Sequence, residues 1–118
     1  MSQEQTAREL RATRNQSLLR DTNERIEKLR TSAMYAEFAC ECCDDSCVEL
    51  VPLTTEEYEA VRGESNSFLV LRGHEKVAVE RVIAQGKSYV IVAKTGAGAA
   101  LAVGLDPRTR IIGGRQAP

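Results

Sequence analysis

Phe38-Ala39-Cys40-Glu41-Cys42-Cys43-Asp44-Asp45-Ser46-Cys47 is the stretch on which the reading of this chain turns. It holds all four cysteines of the protein within eight residues. If the chain is extended as it enters the stretch, side chains alternate with period two, so Cys40 and Cys42 point to one side and Cys43 to the other. Asp44, Asp45 and Ser46 supply turn chemistry that lets Cys47 come back towards the first pair. The result is three thiols converging in a C-x-C-x4-C spacing, with a fourth ligand still to be found. Cys43 is one candidate. The single histidine, His74, is the other: it follows Gly73 at the end of an apolar run, where a glycine allows the tight turn that would aim an imidazole. Three cysteines and one histidine form one of the usual structural zinc sets, so the expectation is one zinc ion held by Cys40, Cys42, Cys47 and His74, with Cys43 an alternative ligand or a redox thiol.

The segments around the loop read as its scaffold. Tyr35-Ala36-Glu37-Phe38-Ala39 leads in and Val48-Glu49-Leu50-Val51 leads out, like two arms of a hairpin ended by Pro52. Thr54-Thr55-Glu56-Glu57 matches a capping box, which starts a short helix from Glu56 to Arg62 with Gly63 as its stop. Phe68-Leu69-Val70-Leu71 has strand length. Val77 to Ile83 and Ser88 to Ala93, joined through Gln85-Gly86-Lys87, make the clearest hairpin, rich in β-branched residues.

Residues 1–32 contain no Gly or Pro and favour helix. Leu19, Ile26, Leu29 and Ala33 recur at helical spacing, widened by Leu18, and predict a docking stripe; the half before Leu18 is expected to be exposed or frayed. Residues 96–118 hold five of the eight glycines and few large side chains, and read as a flexible Gly/Ala-rich tail. The fold class expected is therefore α+β: an N-terminal helix, then a small antiparallel sheet with one short helix over 33–95, stapled by a metal site.

Composition narrows the function. The chain has 118 residues, 42 % hydrophobic, with three Tyr, two Phe and no Trp, so its core is small and a staple is in keeping with that. No apolar run reaches the ~20 residues that cross a bilayer, and the N-terminus has no apolar region of a secretory signal. The expectation is a cytoplasmic protein, away from membranes, in which thiols stay reduced and clustered cysteines point to metal before disulfides. Net charge is −1. Residues 1–30 carry seven Lys/Arg against five Asp/Glu, whereas residues 36–60 carry eight Asp/Glu and no Lys/Arg. Nucleic acid is the less expected partner on that balance, because five acids interleave the arginines Arg8, Arg11, Arg14, Arg20, Arg25 and Arg30 and no aromatic joins them.

Catalytic devices are missing from the sequence. There is no second histidine for an H-E-x-x-H arrangement, no nucleophile elbow, and Gly96-Ala97-Gly98-Ala99-Ala100 lacks the lysine of a phosphate-binding loop. Glu41 and Glu75 read as solubilising carboxylates. The expected function is a small zinc-binding adaptor for protein interaction or regulation, with an unidentified protein partner or a homodimer through the N-terminal helix, and no enzymatic activity. A thiol-based redox or metal sensor is the first alternative, and a nucleic-acid-binding regulator using the Arg-rich helix the second.

The cysteine spacing together with Leu53-Thr54-Thr55-Glu56-Glu57-Tyr58, Phe68-Leu69-Val70, Gly73-His74-Glu75 and Val79-Glu80-Arg81-Val82 resembles a family of small uncharacterised proteins of actinobacteria, over roughly residues 20–94. The resemblance implies a zinc site at Cys40, Cys42, Cys47 and His74. Cys43 and the long Gly/Ala tail depart from the family pattern. The resemblance carries no activity with it.

Overall fold

The computed structural model describes residues 2–30 and 34–108. Ala33 and residues 109–118 lie outside it. Helix α1 runs over Gln3–Leu29, capped by the Ser2 side chain, which accepts from Gln5 N–H. Strands β1 (Ala36–Ala39) and β2 (Leu50–Leu53) form an antiparallel pair with Phe38 opposite Val51. Helix α2 spans Thr55–Val61, and the expected capping box is present in both directions between Thr54 and Glu57. Strands β3 (Ser67–Leu71), β4 (Glu80–Gln85) and β5 (Tyr89–Lys94) make a second antiparallel sheet in the order β3-β5-β4, with β5 buried along its whole length. Gly86 closes the β4–β5 hairpin against the Tyr89 ring, where a Cβ would sit 2.1 Å from a ring carbon. The fold is thus α+β, as the sequence implies. No helix among the described residues is long and apolar enough to cross a membrane.

Phe38, Val51, Leu53, Tyr58, Val61, Phe68, Leu69, Val70 and Val92 form the buried centre, with Phe38 and Tyr58 stacked at 4.4 Å between ring centroids. Pro52 sits inside β2 and not at its end. The strand begins at Leu50 and excludes Val48 and Glu49. Proline is tolerated there because β2 is an edge strand, where a missing N–H breaks no interior ladder.

Three expectations fail in an instructive way. The apolar stripe of α1 is not its docking face: Leu18 is 64 % and Leu29 79 % exposed, and only Ile26 reaches the core. The buried face is polar instead, made of Glu9, Thr13, Gln16, Ser17, Arg20 and Asn23. It also begins well before Leu18, so the first half of the helix is docked, not frayed. Arg20 is fully buried, donates to Ser65 O at 2.7 Å and Ala102 O at 2.8 Å, and lies 4.9 Å over the Phe68 ring. Such side chains satisfy backbone carbonyls that apolar residues would leave unpaired.

The third failure is the tail. Residues Ala97–Gly104 form a helix, α3, packed on α1. Small residues supply no stripe for a pattern to detect, but they let two helix backbones come close. Gly96 starts α3 at a φ of 67°, which favours glycine. Beyond it Asp106 is buried and ion-paired to Arg62, and Arg108 clamps Glu24 at 2.8 Å and Glu59 at 2.9 Å. Glu24 also accepts from Tyr58 Oη at 2.5 Å and Arg62 Nε at 3.2 Å. Burial would raise the Glu24 pKa, but the hydrogen bonds from Arg108 and Tyr58 outweigh it and hold the carboxyl below its usual range.

A matched pair of substitutions tests the α1–α3 contact. A Cβ on Gly98 would meet Thr13 Oγ1 at 2.2 Å, whereas one on Gly104 meets nothing within 4 Å. Gly98→Ala is expected to destabilise the fold by ~1–3 kcal/mol in urea unfolding. Gly104→Ala is expected to be neutral or stabilising by up to ~1 kcal/mol. Equal effects would mean that α3 does not pack on α1.

Candidate metal centre

The loop between β1 and β2 is held at both ends by backbone pairing. Cys40 N–H donates to Glu49 O at 3.1 Å, extending the hairpin, and Glu41 N–H donates to Leu69 O at 2.7 Å, attaching the loop to β3. Asp44 then makes the turn. Its carboxylate accepts from Ser46 N–H at 3.0 Å and Ser46 Oγ at 2.7 Å, while its carbonyl accepts from Cys47 N–H at 3.0 Å. His74 stands in a turn directly after β3, with its N–H on Leu71 O at 2.8 Å. Gly73 before it has a φ of 96°, and nothing lies within 4 Å of where its Cβ would be, so conformation and not space calls for glycine there.

This scaffold brings Cys40, Cys42, Cys47 and His74 together, with all four ligand atoms within 4.8 Å of one another. His74 Nδ1 is 3.7 Å from both Cys40 Sγ and Cys47 Sγ. A tetrahedral zinc with sulfur at ~2.3 Å and nitrogen at ~2.0–2.1 Å separates sulfur from nitrogen by ~3.6 Å. The residues therefore fit a four-coordinate thiophilic ion. Cys40 and Cys42 are buried, Cys47 is half-buried and His74 is exposed, so the centre has a covered side and an open rim. Leu71 N–H donates to Cys40 Sγ at 3.2 Å, a contact suited to a thiolate. Without an ion, burial first and then the neighbouring thiols push the Cys40 pKa far up, and burial raises Cys42 as well. A divalent cation would remove that penalty and release the protons.

Cys43 does not join the group. As the alternation of side chains implies, it points away, its thiol 3.4 Å from Glu80 Oε2 and 3.7 Å from Lys94 Nζ. Burial, and next the Glu80 charge, push its pKa up to about 11. Glu80 and Lys94 are themselves a fully buried pair at 3.3 Å. Glu80 also accepts from Gln16 Nε2 at 2.8 Å and from Lys76 N–H at 2.9 Å.

Glu41 corrects the sequence reading. It is not a surface carboxylate but a fully buried one. Its Oε1 accepts from Leu69 N–H at 2.8 Å and its Oε2 from Asn23 Nδ2 at 2.7 Å. Burial pushes its pKa up to about 7, against the pull of those two hydrogen bonds. The alternation that turns Cys40 and Cys42 towards Cys47 and His74 turns Glu41 the other way, and that signal was available in the sequence. Glu75 is half-buried and accepts from Gly73 N–H at 2.8 Å, which braces the turn carrying His74. Gln16, Asn23, Glu80 and Lys94 carried no local signal.

Comparison with protein families, with curated proteins and with solved structures gives no match for this chain.

Cys43→Ser separates Cys43 from the ligand set. Loaded with cobalt(II), the variant is expected to show the same thiolate-to-metal absorption and stoichiometry as the parent chain. Loss of a third or more of that band would place Cys43 among the ligands.

Proposed function

We propose that this chain is a small zinc-binding module whose ion is structural and whose output is its surface, as an adaptor for protein interaction or regulation. One observation carries the reading: four protein ligand atoms gather within 4.8 Å of one another, enough to supply a full tetrahedral set without a water. The sulfur-rich donor set with one imidazole favours zinc among common divalent ions. Such an ion would tie the β1–β2 loop to the turn after β3 and so join the two sheets. Fixing two turns at one point is worth most in a domain with few aromatics and a small core.

The carboxylates nearest the ligands support a structural role. Glu41 is occupied by Leu69 and Asn23, and Glu75 by Gly73. Neither is held in readiness as a base. A redox sensor working through Cys43 has less support, since that thiol faces Glu80 and Lys94.

The test is metal analysis by native mass spectrometry, with thermal unfolding before and after chelation. One zinc per chain is expected, and removal should lower Tm by more than ~10 °C or unfold the domain. His74→Ala should weaken zinc retention in competition with a chelator. A chain that takes up no zinc, or a His74→Ala variant that holds it as tightly as the parent, would overturn the proposed centre.

A further inference from the structure

Helix α1 sorts its charges by face. Of its cations and that of the residue after it, Arg20 is buried inward and Arg30 pairs with Glu27. Arg8, Arg11, Arg14, Arg25 and Lys28 are all exposed, and none makes an ion pair among the described residues. The acids go the other way. Glu9 is buried, Glu24 is occupied by Tyr58, Arg62 and Arg108, Glu27 by Arg30, and Asp21 is half-buried; only Glu4 is exposed. The interleaved acids that argue against a polyanion in the sequence are thus mostly withdrawn from the outer face. What remains is two groups of exposed cations, Arg8, Arg11 and Arg14, then Arg25 and Lys28, spread over ~30 Å at the helical rise, with the half-buried Asp21 between them. The inner face of the same helix reaches Glu41 through Gln16 and Asn23, so these cations point away from the acidic cysteine loop.

We infer that the outer face of α1 binds the phosphate backbone of duplex nucleic acid, without reading its sequence. This goes beyond the adaptor reading above and shares with it only that the surface of the zinc module is its output. Four of the five cations are arginines, whose planar forks match phosphate oxygens in pairs. Contacts of this kind position a protein on the duplex but do not discriminate bases. The face has no aromatic residue, so it offers no stacking platform and favours duplex over single strand. A protein partner fits less well. Leu18 and Leu29 are the large apolar residues exposed on this face, about 16 Å apart along the helix, too far to form the continuous apolar centre of a stable protein interface. Two copies of the face would bring arginines against arginines, which disfavours a homodimer through it.

The experiment is fluorescence anisotropy of the zinc-loaded chain with a mixed-sequence 24-base-pair DNA duplex, from 50 to 200 mM salt. With four or five phosphates neutralised, affinity should fall about two orders of magnitude across that range. A triple variant, Arg11→Glu with Arg14→Glu and Arg25→Glu, should weaken binding at least tenfold at 50 mM salt. Those side chains are exposed, so its zinc content and Tm should match the parent. No binding at 50 mM salt overturns the inference, as does binding unaffected by the triple variant. Equal or tighter binding to polyglutamate would overturn it in favour of an acidic protein partner, and tighter binding to the single strand would overturn the duplex. With zinc retained, each of these failures leaves the metal-module reading standing. Loss of zinc from the parent chain would sink that reading instead.

Discussion

A fully buried carboxylate between two cysteines of the candidate metal centre is the constraint on which the rest of this structure depends. Glu41 is held at its N–H, its carbonyl and both carboxylate oxygens, by Leu69 of β3 and by Gln16 and Asn23 of α1. A carboxylate has no low-energy place in an apolar core unless its oxygens are hydrogen-bonded. Here the donors are fixed by a strand and a helix, so the peptide on either side of Glu41 is fixed too. Cys40 and Cys42 are turned towards Cys47 and His74 because Glu41 is captured on the other side. Removing the carboxylate would leave the Leu69 N–H and one of the two Asn23 amide hydrogens unpaired in the interior, at ~1–3 kcal/mol each.

The same logic explains why α1 docks through polar residues. The groups under it lie at the ends of elements and in loops, Ala39 at the end of β1, Glu41 and Ser65 in loops and Ala102 in the last turns of α3, where no neighbouring strand satisfies the backbone. Asn23 accepts from Ala39 N–H at 2.8 Å and donates to Ala39 O at 2.9 Å, as a strand would. Arg20 does the like for Ser65 and Ala102. The buried Glu80–Lys94 pair is a different matter. Taking two charges from water can cost more than their attraction returns, so its contribution is better sought in orientation than in stability. Glu80 also holds Gln16, Lys76 and Cys43, and thereby fixes which way the loop faces.

These two patterns mark the line between what one sequence discloses and what it does not. The β4–β5 hairpin, the capping box of α2 and the convergence of Cys40, Cys42 and Cys47 were legible because each is set by residues close in sequence. His74 was legible for another reason: the chain has one histidine and the thiol set lacked one member. The docking face of α1 was not legible, because hydropathy registers Gln16, Arg20 and Asn23 as solvent-facing and their partners lie 16 to 82 residues away. Nor was α3, whose alanines and glycines give no periodicity and whose place is fixed from outside by Thr13, Arg20 and the Arg62–Asp106 pair.

One consequence joins the two ends of the molecule. Ala39 at the end of β1 and Glu41 in the cysteine loop are bound directly by α1, through Asn23 and Gln16. A ligand that binds only the folded loop stabilises every element whose docking needs that loop in place. An ion at Cys40, Cys42, Cys47 and His74 would therefore stabilise the seating of α1 as well as the loop. The exposed cations Arg8, Arg11, Arg14, Arg25 and Lys28 stand apart from most of the helix's acids only while its inner face is seated on Glu41, Ser65 and Ala102. A free helix of this composition would turn its acids outward along with its arginines. The charge pattern on the outside of the protein is thus tied to the polar contacts inside it, and those contacts meet the loop of the candidate metal centre at Glu41.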